Sequence, residues 1–406
     1  MTQASTSVAS TSIDADPVVI VSAARTPMGG FQGALSGMTG PELGAHAVRA
    51  AVGRAGLGAD EVDELIMGCV LPAGVGQAPA RQAALRGGLA QSTPATTVNK
   101  VCGSGMKAVM LAHDALALGH GKVIVAGGME SMTNAPYLLP KARGGFRLGH
   151  AEVKDHMFLD GLEDAYEGRL MGTYAEETAQ HYQFSREAQD AYALESLARA
   201  KKAVTNGSFE TEIAPVTVKG RGGEVEVSQD EQPLKADPAK IPALKPAFAR
   251  DGTVTAANSS SISDGAAALV LMRQSEAERR GLKPLATIRG HAMHAQAPAW
   301  FSTAPIEAIS KLLRQVGWSV ADVDLFEINE AFAVVAMAAM QELDLPHEKL
   351  NIYGGACALG HPIGASGSRI IVTLLNALER TGGTRGIASL CIGGGEATAL
   401  AVERVA

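Results

Sequence analysis

The sequence predicts an α/β protein built from two similar halves, with a segment of different character inserted between them. Short apolar runs alternate with helical patterns in the first third of the chain, which is typical of α/β folds. A stretch near the start recurs near the end, and such a recurrence indicates an internal repeat. The region from about 132 to 254 is more polar. Together these observations indicate a duplicated unit with an insert.

Composition limits the functional class. The chain has 406 residues, 46% of them hydrophobic and 4% aromatic, so small aliphatic side chains fill a large core. A net charge of −7 without basic clusters excludes broad binding of nucleic acid or anionic lipid. The longest apolar runs, such as 331–340, fall short of the roughly 20 residues that a membrane span needs. The four cysteines form no CxxC pair, which favours a reducing compartment, and we expect the cytoplasm.

The first predicted elements follow one another in a regular order. Residues 1–16 contain no Lys, Arg or apolar run, so they match neither a secretory signal nor a transit peptide, and we expect a disordered leader. Strands are predicted at 18–24, 64–70 and 123–128, and helices around 41–55 and 106–118. His113 and Asp114 interrupt the apolar character of the second helix. This helix is therefore expected to be buried between layers.

The repeat relates the two ends of the chain. GLGADEVDELIMGCV (56–70) resembles GWSVADVDLFEINEA (317–331), and the same spacing places Cys102 opposite Ile363. The stretch GHPIGASGSRI around Ile363 is another small-residue turn that opens a helix. The insert between the halves, at 132–254, contains a charged helical pattern at 185–204 and short polar strands around 213–227. It is predicted to be a peripheral lid or docking domain.

Cys102 lies in NKVCGSGMKAV (99–109), where a strand pattern gives way to a helix. A lone cysteine is most often a small buried residue. A thiol at a helix N-terminus, however, faces unpaired N–H groups and the positive end of the helix dipole, which favour the thiolate. Cys102 is therefore a candidate nucleophile as well as a candidate core residue.

The same stretch allows a second interpretation, because GSGMKA fits the G-x-G-x-x-A pattern of a dinucleotide-binding loop. Such a site also requires an acidic residue about 20 positions later, at the end of the next strand. Here Gly127 and Gly128 follow that strand. A nucleotide-binding oxidoreductase is therefore the weaker hypothesis.

Three further polar residues stand in small-residue motifs. His361 precedes a proline in GGACALGHPIGASGS (354–368) and is either an ordinary buried histidine or the base beside Cys102. Cys391 in SLCIGGGEA (389–397) is either a core cysteine or a general acid/base near glycine N–H groups. Asn329 in EINEAFA (327–333) follows a strand, as either a ligand-binding amide or a helix N-cap.

The motifs VCGSGMKA, NEAFA, GHPIGASG and CIGGGEA, in this order and spacing, resemble those of the thiolases along nearly the whole chain after residue 16. The resemblance implies a five-layer α-β-α-β-α fold of two βαβαβαββ halves with an inserted α+β loop domain. It implies an N-terminal half at 17–131 and 255–283, an insert at 132–254 for CoA binding and tetramer contacts, and a C-terminal half at 284–406.

By this resemblance Cys102 accepts the acyl group, and His361 takes up the proton of the Cys102 thiol. Cys391 exchanges the proton of the α-carbon, and Asn329 positions a water that, with His361, stabilises an enolate oxygen. The N–H groups of Cys102 and Gly393 resemble a second oxyanion hole.

The implied activity is the reversible Claisen condensation of two acetyl-CoA molecules, with CoA thioesters as substrates and no prosthetic group. This chemistry needs a covalent acyl carrier, a base for a C–H proton and two oxyanion sites. Cys391 distinguishes the family from ketoacyl synthases, which resemble Cys-His-His arrangements, and from hydroxymethylglutaryl-CoA synthase, which uses Glu as the base. The alternatives are a degradative 3-ketoacyl-CoA thiolase for longer or branched substrates and a non-catalytic CoA-binding protein.

The resemblance also implies ligand contacts and an assembly. Lys235 fits either a CoA phosphate contact or a solvated charge. NAPYLLPKARGGFRLG (134–149) resembles the loop with which short-chain thiolases assemble as homotetramers, pairs of dimers. The implied CoA contacts are Ser260, Ala256, Leu244, Phe248, Lys235, Met171 and Phe301.

Three departures from the common short-chain pattern affect substrate details. Leu170 stands where many biosynthetic thiolases have His, Tyr353 where they have Asn, and Trp300-Phe301 replaces a Met-Gly loop. The last feature is closer to the mitochondrial-type enzymes, which accept a 2-methyl-branched substrate and bind potassium. The K⁺ ligands implied by this analogy are Tyr192, Ala256, Ala257, Ser259 and Cys357.

Overall fold

The computed structural model describes residues 15–220 and 222–405. Strands and helices alternate along the chain, and most of the strands belong to one large sheet. Within the described ranges the strands are β1 (Val18–Arg25), β2 (Gly29–Gly30), β3 (Glu64–Gly68), β4 (Ala95–Val98), β5 (Val123–Ser131), β6 (Tyr137–Leu138), β7 (Lys154–Asp155), β8 (Val216–Gly220), β9 (Gly223–Val227), β10 (Ser263–Arg273), β11 (Ala286–Ala295), β12 (Leu325–Ile328), β13 (Arg385–Ile392) and β14 (Glu396–Arg404).

The α-helices are α1 (Gly40–Arg54), α2 (Pro79–Gly87), α3 (Ser104–Ala117), α4 (Met171–His181), α5 (Arg186–Thr205), α6 (Glu231–Lys235), α7 (Gln274–Arg280), α8 (Ala304–Val316), α9 (Ala333–Leu343), α10 (Ala356–Leu359) and α11 (Ser366–Thr381). Short 3₁₀ segments cover Ala142–Gly144, Pro238–Ala243, Pro298–Thr303, Val320–Asp322 and His347–Lys349, and a π turn covers Phe158–Leu162. The elements predicted at 18–24, 41–55, 64–70, 106–118 and 123–128 are confirmed as β1, α1, β3, α3 and β5.

The strand order confirms the duplication. The sheet runs β12-β13-β14-β11-β1-β10-β5-β3-β4, so β1, β10, β5 and β3 mirror β11, β14, β13 and β12. Pairing is parallel for β3 with β5 and for β12 with β13, and antiparallel nearer the centre. The halves meet where β1 pairs with β11 through only Val19 with Thr287 and Ile20 with Ala286. The join between the two half-sheets is therefore narrow.

The helices form three layers with these half-sheets between them. Because side chains alternate across a strand, Leu269 and Leu271 of β10 pack in the cluster that contains α3 and α11, whereas Val270 and Met272 pack with α1 and α2. On the other half-sheet, α8 and α9 share a core with β12 and β13. The α-β-α-β-α arrangement places α3 and α11 in the middle, as predicted for the helix after Cys102.

The insert lies between the end of β5 and the start of β10. Its charged helical pattern forms α5, which begins after Ser185, whose Oγ accepts a hydrogen bond from Ala188 N at 3.2 Å. The predicted polar strands form the β8–β9 hairpin. The exact division of the chain at 254 and 283 stays a prediction.

The predicted leader falls mostly outside the described residues, since 1–14 are not among them. Asp16, its last residue, accepts hydrogen bonds from Ser275 N at 2.9 Å and Arg273 Nε at 3.2 Å, so this end of the segment is attached to the fold. Among the helices of the described ranges, none is both long and apolar enough to cross a membrane.

Candidate active site

Cys102 lies in a tight turn just before α3. Val101 has a φ of 46°, which is a sparsely populated, strained conformation for a β-branched residue. The Ser104 hydroxyl braces the turn by donating to Val101 O at 2.6 Å and accepting from Lys100 N at 2.8 Å. The half-buried Cys102 packs against the apolar cluster around Ile363, its predicted counterpart in the other half.

The starts of α3 and α11 face each other, as the repeat predicts. A Cβ on Gly105 would lie 2.8 Å from Ser368 N, and a Cβ on Gly367 would lie 2.4 Å from Met106 N. Glycine is required at both positions because the backbones touch. This contact also argues against the dinucleotide interpretation, since the α11 backbone occupies the space beside GSGMKA where a pyrophosphate would lie.

The resting state of Cys102 differs from the sequence expectation. Burial raises the pKa of the thiol to about 11, although the N–H groups of Gly393 and of Cys102 itself stabilise the thiolate, and the charge of Glu130 adds to the increase. The expectation that the helix dipole yields a thiolate is therefore wrong for the free protein, because desolvation exceeds the dipole's effect. A base must remove the proton during the reaction.

His361 is suited to be that base. Its Nδ1 lies 2.5 Å from the Ser366 hydroxyl, which itself donates to Pro362 O at 3.0 Å. The Ser366 oxygen must therefore accept from His361, so Nδ1 carries the proton and Nε2 carries the lone pair, 3.4 Å from the amide nitrogen of Asn329. Burial, with a smaller contribution from the charge of Arg369, lowers the His361 pKa to about 3. The imidazole is neutral at physiological pH.

Asn329 follows β12 directly and contacts the imidazole. Its Nδ2 lies 3.4 Å from both ring nitrogens of His361, and its backbone N–H donates to Ser389 O at 3.0 Å. The N-cap of α9 is Phe332, so the N-cap interpretation of Asn329 is wrong. The structure therefore brings the amide and His361 together.

Cys391 is the penultimate residue of β13 and is 1% exposed. Burial raises the pKa of its thiol well above the usual value, and the charge of Cys102 raises it further. Such an effect requires the two sulfurs to be close. Gly393 follows two residues later, and its N–H faces the Cys102 sulfur. The three residues thus share one site.

Sequence reasoning missed a buried ion pair behind His361. Arg369, fully buried, donates from Nη2 to Asn329 Oδ1 at 3.5 Å, and its Nη1 lies 3.8 Å from Glu327. Within the described residues, Nε and Nη1 of Arg369 have no hydrogen-bond partner. Burial raises the Glu327 pKa despite the opposing charge of Arg369. The available signal was a charged residue, Arg369, in the otherwise apolar first turns of α11.

Glu130 is the second residue that sequence reasoning missed. Its carboxylate accepts hydrogen bonds from the N–H groups of Val70 at 2.9 Å, Leu71 at 3.2 Å and Gly364 at 3.0 Å. Burial raises its pKa to about 7. Glu130 therefore ties the β3 end of one half to the His361 loop of the other, directly behind Cys102.

The predicted CoA contacts separate into two groups. Lys235, Leu244 and Ala256 line one cavity, and Lys235 pairs there with Glu231. Cys102, His361 and Cys391 do not line this cavity in the part of the chain that the structure describes. Ser260 is not part of its lining either, and its N–H donates to Ala331 O at 2.9 Å.

The second group lies near the ends of β12 and β13, next to Gly393 and Phe332. The sulfur of Met171 is among the nearest atoms to Gly393. Phe248 and Phe301 both contact Phe332, with ring centroids 5.9 Å and 6.2 Å apart. Phe301 is only 3% exposed, so in this state it supports the site from the core.

Two of the predicted potassium residues, Tyr192 and Cys357, contact another buried carboxylate. Glu330 accepts hydrogen bonds from the Tyr192 hydroxyl at 2.9 Å and from Cys357 N at 3.1 Å. Ala256, Ala257 and Cys357 line the same cavity. The Ser259 hydroxyl is instead engaged with Thr255 O at 2.6 Å. Carboxylate, carbonyl and hydroxyl oxygens suit a hard cation, so the donor set fits, with Glu330 as an addition.

Comparison with known proteins agrees with the geometry. The family model described as "Thiolase, N-terminal domain" matches residues 18–275, and "Thiolase, C-terminal domain" matches 282–404. A Dictyostelium discoideum protein named "Probable acetyl-CoA acetyltransferase" is 50% identical over 96% of this chain and 94% of its own length. "Acetyl-CoA acetyltransferase, cytosolic" of Mus musculus is 50% identical over 96% and 98%. "Acetyl-CoA acetyltransferase" of Cupriavidus necator is 49% identical over 95% and 99%.

Proposed function

Because the chain belongs to the thiolase family, we propose that it is an acetyl-CoA C-acetyltransferase, which condenses two acetyl-CoA molecules to acetoacetyl-CoA and CoA and catalyses the reverse thiolysis. One observation carries the proposal. Cys102 faces two backbone N–H groups in a site that also holds Cys391, and the loop that leads into the facing helix α11 carries His361, whose Nδ1 bonds Ser366. This is the arrangement that covalent acyl transfer requires.

The first half-reaction forms the acyl-enzyme. The Cys102 proton passes to His361 Nε2 as the sulfur attacks the thioester carbonyl, and the N–H groups of Cys102 and Gly393 stabilise the oxyanion. The C–S bond to CoA then breaks, and the departing CoA thiolate takes the Cys391 proton. Acetyl-Cys102, a Cys391 thiolate and a His361 imidazolium remain, while CoA leaves as the thiol.

The second half-reaction forms the carbon–carbon bond. The Cys391 thiolate removes a proton from the α-carbon of a second acetyl-CoA, and the His361 imidazolium and a water held by Asn329 stabilise the enolate oxygen. The enolate carbon attacks the acetyl carbonyl, and Cys102 leaves as a thiolate. His361 returns the proton to Cys102, so the enzyme regains its starting state.

The decisive experiment separates the two cysteines. After brief exposure to acetyl-CoA, intact mass spectrometry of the wild-type chain should show one acetyl group, located on Cys102. Cys102→Ser should lose the thioester adduct, whereas Cys391→Ser should still become acetylated but should fail in condensation and thiolysis. Thr205→Ala, at the exposed end of α5, is the control and should retain both properties. Near wild-type turnover by Cys391→Ser would refute the two-cysteine mechanism.

A degradative 3-ketoacyl-CoA thiolase acting on longer or branched chains is the second candidate. The observation that favours it is the position of Phe301, next to Trp300, against Phe332 at the site. Thiolysis rates with acetoacetyl-CoA, 2-methylacetoacetyl-CoA and a longer 3-ketoacyl-CoA distinguish the two. Fastest cleavage of acetoacetyl-CoA supports the acetyltransferase. Cleavage of 2-methylacetoacetyl-CoA at a rate comparable to that of acetoacetyl-CoA would indicate that Trp300-Phe301 accommodates the methyl branch.

Substrate and ion binding belong to the same proposal. Lys235, Leu244 and Ala256 would contact CoA in their shared cavity, with the Lys235 ammonium available to a phosphate. Tyr192, Ala256, Ala257, Ser259 and Cys357 would surround a K⁺ ion near Glu330, where the ion would offset the buried carboxylate. Unchanged activity and unchanged thermal stability after replacement of K⁺ by Na⁺ would refute the ion site.

Assembly and location complete the proposal. We infer a homotetramer, a dimer of dimers, in the cytoplasm. The loop at 134–149 supports the tetramer because it exposes apolar side chains, with Tyr137 69% and Leu148 97% exposed. The four free cysteines suit a reducing compartment, and a relative from mouse is named as cytosolic.

A further inference from the structure

A cluster of two histidines and an aspartate lies outside the site described above. His113 and Asp114 lie in the second half of α3, and His291 comes from β11 in the other half. His113 Nδ1 lies 3.1 Å from Asp114 Oδ1, and His291 Nε2 lies 2.8 Å from the same oxygen. The two imidazole rings are edge to face, 5.0 Å apart.

The three ligand atoms are close enough to share one ion. All of them lie within 4.8 Å of one another. Zinc bound at about 2.0–2.2 Å by nitrogen and oxygen in a tetrahedron separates its ligands by about 3.4 Å. Asp114 Oδ1 lies slightly closer than this to both imidazole nitrogens, and those two nitrogens are no more than 4.8 Å apart, so small side-chain rotations would bring all three atoms to one ion. Two imidazoles and one carboxylate with an open position are a common donor set for zinc and other first-row metals.

The surroundings allow an ion to enter. The Asp114 side chain is 48% exposed, whereas those of His113 and His291 are 10% and 17% exposed. A water can thus complete the coordination on the Asp114 side. The nearby cation, Arg273, is held by Asp16 and by Ala117 O, so its charge is partly neutralised.

We propose that His113, Asp114 and His291 form a binding site for a divalent first-row transition metal ion, with zinc as the expected occupant. The site joins α3 of the first half to β11 of the second. His113 is about 13 Å along α3 from its first residue, at a rise of about 1.5 Å per residue. The ion therefore acts as a staple between the halves and takes no part in the thiol chemistry.

Cobalt(II) tests the proposal on the full chain, because its spectrum reports the ligand type. Thiolate ligation in the active site would give an intense sulfur-to-cobalt charge-transfer band, whereas the His-Asp-His site gives only d–d bands. We expect one cobalt ion per chain with d–d bands and no charge-transfer band, displacement by zinc, and a higher midpoint of thermal unfolding with metal than with EDTA.

Variants identify the ligands. His291→Gln and Asp114→Asn should each weaken cobalt binding at least about tenfold. His294→Gln on the same strand is the matched control, because His294 bonds Gln296 and Lys311 outside the cluster, and it should bind as the wild type does. In EDTA all three variants should unfold at the wild-type temperature, which checks that the fold is intact.

Three results would overturn the site. The first is the absence of cobalt binding, and the second is binding only with the thiolate band. The third is equal affinity of His291→Gln, Asp114→Asn and His294→Gln. If His291→Gln alone unfolds earlier in EDTA, then the cobalt affinity of the surface-exposed Asp114→Asn decides. Weakened binding supports the metal site, and wild-type binding shows a cluster held only by hydrogen bonds.

Discussion

At the scale of single residues, the cysteine and histidine of the site are uncharged in the free protein. Burial raises the Cys102 pKa to about 11 and lowers the His361 pKa to about 3, so neither group is charged at rest. In the proposed mechanism, the thiolate and imidazolium form only when substrate supplies a carbonyl whose developing charge the N–H groups of Gly393 and Cys102 stabilise. The free enzyme is therefore protected from indiscriminate alkylation and oxidation.

This resting state predicts how Cys102 reacts with iodoacetamide. Below a pKa of about 11 the thiolate fraction rises roughly tenfold per pH unit, so the alkylation rate should keep rising from pH 6 to pH 9 without a plateau. Peptide mass mapping of Cys102 after timed exposure measures this rate. A resting thiolate–imidazolium pair would instead give a rate that is flat across this range, and such a result would contradict the neutral pair.

The sequence does not show contacts that depend on how the chain turns or on burial. The types and order of Cys102, Asn329, His361 and Cys391 are readable from motifs. The Ser366 contact that sets the His361 tautomer depends on how the chain turns after Pro362. The direction of the Cys102 pKa shift depends on burial that no local pattern reports.

At the scale of elements, the contact between α3 and α11 fixes the distance between the two halves of the catalytic site. Helix and strand periodicity predicted both helices, because each is a long apolar pattern opened by small residues. Their mutual distance was not predictable from periodicity. It depends on which small residues meet, and here the backbone of Gly367 reaches that of Met106.

Gly367→Ala tests this contact. A Cβ there would lie 2.4 Å from Met106 N, so α3 must shift, at a cost of about 1–3 kcal/mol in the free energy of unfolding. We expect a lower thermal midpoint and a reduced kcat for thiolysis, since Cys102 precedes α3. Gly53→Ala is the control, because its Cβ meets open space near the end of α1 and should stabilise the chain by up to about 1 kcal/mol. Equal kcat values for the two variants would show that helix spacing does not control the site.

At the scale of the whole molecule, the insert carries most of the large apolar side chains that are exposed among the described residues. The β6–β7 loop exposes Tyr137, Leu139, Phe146 and Leu148. The sequence indicated this loop only through its resemblance to a tetramer loop, because exposure itself cannot be read from composition. An uncovered apolar group of this size normally contacts a partner.

Leu148→Asp should therefore convert the proposed tetramer into dimers. A charge placed on the apolar loop opposes its burial at the contact, while the catalytic residues remain unaltered. Light scattering after gel filtration measures the mass of the species. Val225→Asp on the β8–β9 hairpin, also an exposed apolar residue, serves as the control and should leave the mass unchanged. A single mass shared by wild type and both variants would place the assembly surface elsewhere.

The position of β10 has a consequence for synthesis on the ribosome. β1 pairs with β10 along its full length, from Val18 with Arg273 to Arg25 with Ala267. The first strand to leave the ribosome therefore stays unpaired until its partner, roughly 250 residues later in the chain, has been synthesised. At about 5–20 residues per second this delay is roughly 12–50 s. During that time β1 and β5 offer unpaired apolar edges in the cell. The nascent chain is thus most exposed to aggregation, and most in need of a chaperone, before residue 273 leaves the exit tunnel.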